Sequence, residues 1–237
     1  MSKARQGLKF DRYFTKEFPG KVYDSFEWKK ADIEIANDNG EVLFVQKGVD
    51  FPVGWTPNAR KITTSKYFYG HQDTPQREGS GRYLIGRVSE TFADWSARQK
   101  YFSSEQEVDA FRDELAYLAL DQRMAFNSPV WFNVGVHKIA GDGDQQKRQG
   151  YIVGKSGKIV RLPVGKDRFY PQTSACFIQS VDDTMESIMD LAVKEAMLFK
   201  YGSGTGTNLS SLRSSRERLS GGGKPSGPLA YWAFMIK

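Results

Sequence analysis

The sequence predicts an α/β protein in which a β-hairpin and helices lead into a parallel strand–helix–strand unit. Three observations carry that prediction. An Asn-Gly pair at 39–40 separates two strand-like runs, ADIEIAND and EVLFVQKGV. Residues 87–125 carry helical periodicity. In the last quarter, SACFIQSV, a capped apolar-periodic stretch and TNLSSL follow one another as strand, helix and strand.

Composition sets the bounds. The chain has 237 residues, 39% of them hydrophobic and 14% aromatic, which is enough for a packed core. Its net charge of +6 favours polyanionic partners such as nucleotides or nucleic acid, although the charge is scattered along the chain. The N-terminus MSKARQGLKFDRYF is basic but lacks the apolar core of a signal peptide, and no apolar run of membrane-spanning length occurs. Cys176 is the single cysteine, so no internal disulfide can form, and a cytoplasmic protein is expected.

In chain order, residues 1–30 are basic, aromatic and weakly periodic and read as an N-terminal arm. Residues 31–140 read as an N-terminal domain, hairpin then helices. Pro52, Gly54, Trp55 and Pro57 end the strand pattern. SEQEVDAFRDELAYLALDQRM places Val108, Phe111, Leu115, Leu118 and Leu120 roughly on one face, with Ser104 and Glu107 as a capping box. FNSPVWFNVG, at 126–135, is an aromatic turn fit for core or pocket wall. Residues 141–170 are glycine-rich and basic, and YIVGKSGKIVRL within them reads as an inserted surface hairpin.

SACFIQSV then reads as a buried strand opening a unit that spans 171–237. Asp183 with Glu186 is an Asp version of a capping box. Met185, Ile188, Met189, Ala192, Ala196 and Phe199 recur at helical spacing, and Gly202 suits the C′ position after Lys200. The glycines of GSGTGTNLSSLR thus follow a helix. A Walker loop or dinucleotide fingerprint precedes one, and the spacing of Gly202, Gly204 and Gly206 fits neither. A C-cap followed by a crowded strand is one reading, and backbone drawn close to a phosphate is the other. Downstream, Arg213, Arg216, Arg218 and Lys224 lie among serines and glycines in a loop suited to a triphosphate or to solvent. His71 and His137 read as surface residues, and no metal site is expected.

MAFNSPVWFNVG, TSACFIQSVDDTMESIMDL, KYGSGTGTNLSSLR and GGGKPSGPLAYW, in that order, resemble the N-terminal part of adenosylcobalamin-dependent (class II) ribonucleotide reductases. FPVGWTPNARKITTSKYFYG is similar to the long-chain branch, and the likeness runs from about residue 9 onward. The resemblance implies the start of a ten-stranded α/β barrel preceded by a mostly helical domain, and a cytoplasmic ribonucleoside-diphosphate reductase serving DNA synthesis. Its partners would be a ribonucleotide substrate, a dNTP effector and a thioredoxin-like or dithiol reductant, with a possible homodimer and no nucleic acid or membrane.

Residue by residue, Ser128 matches a substrate-diphosphate contact, Ala175 and Cys176 touch substrate, and Gly204 offers a backbone contact. Cys176 matches one of two thiols that reduce the 2′ carbon and close to a disulfide. Asp183, Thr184 and Met185, with Arg213, match the effector site. The family's second thiol, its radical-forming cysteine and the neighbouring acid are expected beyond Lys237, so the chain is expected to be inactive alone. Adenosylcobalamin is implied, with no contact assignable here. A nucleotide-binding regulatory module and a nucleic-acid-binding protein are the alternatives.

Overall fold

The computed structural model describes residues 7–139, 150–163, 166, 169–200, 202–219 and 221–235. The chain forms two compact units, 1–173 and 174–237.

The first unit is built on a hairpin. Strands β1 (Trp28–Ala36) and β2 (Val42–Pro52) pair antiparallel, with Trp28 opposite Pro52 and Ala36 opposite Val42. Asn37 organises the connecting turn: its Oδ1 accepts the backbone N–H groups of Asn39 and Glu41, and Gly40 takes φ +80°. After β2, Thr56 caps α1 (Pro57–Ile62), Ser80 caps α2 (Gly81–Arg98) and Ser104 caps α3 (Glu105–Leu120). The Ser104–Glu107 capping box is present with both arms. The helical stretch read at 87–125 is therefore two helices, one starting earlier, broken where Lys100 takes φ +55°. Phe51, Val49, Val88, Leu120 and Val134 lie at the centre of the core, where Phe51 stacks on Trp55 and Phe68.

Residues 7–27 do not form a separate arm. They pack along α3, whose most buried side chains include two acids in place of the expected apolar ridge. Glu114 accepts the N–H groups of Tyr13, Phe14 and Thr15 and the Thr15 hydroxyl, while Asp113 pairs with Arg12 at 2.6 Å and accepts the Gly20 N–H. Val108, Phe111, Leu115 and Leu118 are only half-buried. A chain segment without secondary structure brings many unpaired N–H groups, and carboxylates satisfy them where leucines cannot.

Of the inserted segment, β3 (Tyr151–Val153) and β4 (Ile159–Arg161) form an exposed hairpin; residues 141–149 lie outside the described residues.

The second unit is a parallel βαβ. Strand β5 (Cys176–Ser180) pairs in parallel with β6 (Gly204–Asn208), joined by α5 (Met185–Lys200); α6 (Pro228–Met235) begins at a proline, whose fixed φ suits a first helical turn. Two readings are corrected. Strand β6 runs through the glycines themselves and ends where TNLSSL begins. Strand β5 is not buried: Cys176 is exposed and Ile178 is 86% exposed, because the strand has one paired neighbour and cover on only part of its surface among the described residues.

Helix α5 is capped by Thr184 in place of Asp183. Thr184 Oγ1 accepts the Ser187 N–H, and the Ser187 hydroxyl accepts the Asp182 N–H. At its other end the Ser203 N–H reaches Leu198 O and the Gly202 N–H reaches Phe199 O, with Gly202 at φ +79°: a Schellman motif with the expected C′ glycine. The inward stripe is Ile188, Leu191 and Glu195, rotated from the predicted one, and Met185, Met189 and Phe199 are exposed. Among the described residues no helix is long and apolar enough to cross a membrane.

Candidate functional site

The predicted site residues fall in both units. Ser128 opens α4 (Ser128–Asn133) in the first. Asn127 caps this helix by accepting the Val130 N–H, and Pro129, Val130 and Trp131 anchor it in the core. The Ser128 hydroxyl lies 3.2 Å from Tyr67 Oη, and the Tyr67 ring stacks on Phe132. Behind the helix, the buried Arg87 guanidinium donates to the carbonyls of Trp131 and Val134 at 2.6 Å each and pairs with Glu78 at 2.7 Å, both side chains 3% exposed. Gly135 follows at φ +77°, where a Cβ would collide with Arg87 O. This clamp fixes the end of the short helix that carries Ser128. Sequence reading missed Tyr67, Glu78 and Arg87. The signal available was a charged residue, Arg87, between the apolar Ile85 and Val88 of one helix.

The second unit holds the remaining residues at two ends of one small sheet. At the amino ends of the strands, Cys176 lies opposite Gly204 in register, and the Gly204 N–H donates to Ala175 O at 2.6 Å. A Cβ at Gly204 would lie 3.9 Å from Cys176 Sγ and 3.6 Å from Ala175 O, which is ordinary contact. Nothing within this unit therefore forces glycine at 204, whereas Gly202 needs its positive φ.

At the carboxyl end, roughly 13 Å along the strand at 3.3 Å per residue, Asp183 Oδ2 accepts from Arg213 Nε at 2.5 Å. That hydrogen bond holds the Asp183 carboxyl below the usual carboxylate range. Thr184 caps α5, Met185 begins it and is exposed, and Arg216, Arg218 and Lys224 are exposed in the loop beyond. The structure thus brings together Ala175, Cys176 and Gly204 as one group, and Asp183, Thr184, Met185 and Arg213 as another.

Between the two ends lies a buried acid that sequence reading passed over. Glu195 accepts the Thr207 hydroxyl at 2.7 Å and lies 3.4 Å from Thr205 Oγ1, which accepts from Gln179 Nε2 at 2.8 Å. Its position on the Ile188–Leu191 stripe was the signal.

Two family models match the chain. One, described as class II vitamin B12-dependent ribonucleotide reductase, covers residues 29–122; the other, the ribonucleotide reductase barrel domain, covers residues 174–235. The chain belongs to the class II ribonucleotide reductases. Similar proteins named vitamin B12-dependent ribonucleotide reductase occur in Rhodopirellula baltica (44% identical, 96% of this chain, 22% of the relative), Streptomyces coelicolor (43%, 97% and 21%) and Agrobacterium fabrum (38%, 94% and 20%). The chain spans about a fifth of the length of these curated relatives. No closed barrel occurs among the described residues; the second unit is a mixed α/β segment that matches the barrel domain.

Among the described residues no three histidine, cysteine or carboxylate side chains cluster as a metal site, and His137 is enclosed against Phe169. No described residue is assigned to a corrin contact.

Proposed function

We infer that this chain supplies the first substrate- and effector-binding elements of a cytoplasmic, adenosylcobalamin-dependent ribonucleoside-diphosphate reductase. The second unit contributes the opening strands of a ten-stranded α/β barrel. We take the 31–140 region together with the packed 7–30 segment as the N-terminal domain, 141–170 as an inserted hairpin and 171–237 as the opening of the barrel.

The observation that carries the reading is the exposed Cys176 thiol facing the side-chain-free Gly204 at one end of the sheet, with the Asp183–Arg213 pair at the other. In the reaction, two thiols give up two hydrogens and close a disulfide, while the 2′ carbon loses its hydroxyl as water and gains a hydrogen. Cys176 is one of those thiols. Ala175, Gly204 and Ser128 hold the substrate, the diphosphate falling to Ser128. Asp183, Thr184, Met185 and Arg213 bind the dNTP effector. A thioredoxin-like or dithiol reductant reopens the disulfide, and the assembly expected is a homodimer. Adenosylcobalamin, when bound to the complete enzyme, would supply the radical chemistry.

With one cysteine, the chain as a separate polypeptide cannot close an internal disulfide. A nucleotide-binding module without turnover is what it would be on its own.

The test is Cys176→Ser in a reductase that carries these residues, assayed with a dithiol and adenosylcobalamin. Because the thiol is exposed, stability should change by no more than about 0.5 kcal/mol. Turnover should be lost in a folded protein. Multiple turnovers near the wild-type rate would end the redox assignment.

A further inference from the structure

The first unit contains a cavity of about 780 Å³ between the end of α2 and the segment that follows β4, lined by Trp95, Arg98, His137, Lys166, Phe169 and Tyr170 among others. None of its lining residues is among those assigned above, and its volume lies within the range of small-molecule sites. Two features mark it as more than a gap in packing.

The first is uncommitted charge. The Arg98 side chain is exposed and makes no ion pair or hydrogen bond among the described residues, and the Lys166 ammonium makes only a contact with the Phe169 ring, 5.2 Å from its centroid. The carboxylates of neighbouring α2 turns are not available to them. Glu90 and Asp94 are both taken by Lys138, at 3.6 and 2.8 Å.

The second is an unsatisfied buried polar atom on an aromatic wall. His137 Nδ1 is buried without a hydrogen-bond partner among the described residues, and its ring lies 5.1 Å from that of Phe169. Buried polar atoms are nearly always paired, by protein, water or ligand. Burial and the neighbouring Lys138 and Arg98 charges keep this imidazole below its usual pKa, so the ring is neutral at pH 7. A neutral ring donates from one nitrogen and accepts at the other.

We propose that this cavity is a mononucleotide-binding site in the N-terminal unit, separate from the substrate and effector positions. The base stacks on the exposed rings of Phe169 and Tyr170, with Trp95 as the opposing apolar wall. Its polar edge meets His137 Nδ1. The phosphate falls to Arg98 and Lys166, a guanidinium fork and an ammonium on the cavity lining. A flat π-system joined to an anion uses every group the cavity leaves unpaired. Inorganic phosphate alone would use only the two cations, and a nucleoside only the rings.

Calorimetric titration of the 237-residue chain with GMP, AMP, guanosine and inorganic phosphate tests the assignment. A nucleoside monophosphate should bind at least about tenfold more tightly than guanosine or phosphate. Arg98→Ala and Phe169→Ala should each weaken it about tenfold, the loss expected for a charge-assisted contact or a stacked base. Both side chains are exposed, so circular dichroism should be unchanged. Arg213→Ala should leave this binding intact, which separates the cavity from the proposed effector site. In nuclear magnetic resonance spectra the Trp95 indole N–H signal should move on titration. The proposal is overturned if no monophosphate binds, if phosphate binds as tightly as GMP, if Arg98→Ala has no effect, or if Arg213→Ala alone abolishes binding.

Discussion

Gly204 has room for a methyl group and no positive φ, yet it faces Cys176 across the sheet. Replacing glycine where the backbone tolerates alanine reduces the freedom of the unfolded chain. Gly204→Ala should therefore leave the 237-residue chain as stable as before, or more stable by about 0.5 kcal/mol. If substrate approaches the backbone there, the same change should weaken ribonucleotide binding in an intact reductase; unchanged KM with unchanged kcat would remove the proposed contact. Arg213 is already paired with Asp183. An effector phosphate would take over an existing, geometrically fixed guanidinium, and its arrival trades one anion for another. Arg213→Ala should abolish the response to dNTP while sparing basal reduction, read as the ratio of stimulated to unstimulated rates. Loss of basal activity with the response intact would place Arg213 with the substrate.

Helix α3 shows how one acid can hold an irregular segment. Burial alone would raise the Glu114 pKa, but hydrogen bonds from Thr15, Phe14 and Tyr13 outweigh it and the folded value falls below the usual 4.5. A depressed carboxylate pKa contributes stability above the unfolded value, and that contribution is lost as pH falls through the lower folded one. Glu114→Gln should cost about 3 kcal/mol at pH 7, the scale of buried bonds to a charged acceptor. The gap in melting temperature between wild type and variant should narrow between pH 5 and pH 3. A gap that widens on acidification would show that the carboxylate is not the species that binds the 13–15 backbone.

The two units differ in how much core they own. In the first, the cluster around Val49, Phe51, Val88 and Leu120 joins both strands of the hairpin to α2, α3 and α4. In the second, the buried apolar residues are Val181, Leu191 and Leu212, with Ile188, Leu209 and Tyr231 packed on them. Local opening is easiest where few apolar contacts must be broken. Amide hydrogens of β5 and β6 should exchange faster than those of β2 and α2, measured on the same chain by mass spectrometry. Equal protection would mean that the βαβ unit gains cover from elsewhere.

What the sequence by itself determined is local. Ser104 and Glu107 cap α3, Gly202 closes α5, and Pro52 and Pro57 bracket the exit from β2, because each depends on hydrogen bonds or torsion angles within a few residues. The family was legible for a related reason: motifs such as KYGSGTGTNLSSLR are contiguous. What only the tertiary structure decided is long-range. Asp113 and Glu114 turn inward because the 12–20 segment brings unpaired N–H groups and a guanidinium to them across nearly a hundred residues. Arg87 is buried because Glu78 and the end of α4 meet it there. Thr184 displaces Asp183 as the cap because Asp183 is held by Arg213, thirty residues on. In each case a polar group's partner is set by the fold, and for Asp113, Glu114 and Arg87 desolvation makes that partner obligatory. No local pattern encodes a partner that arrives from so far along the chain.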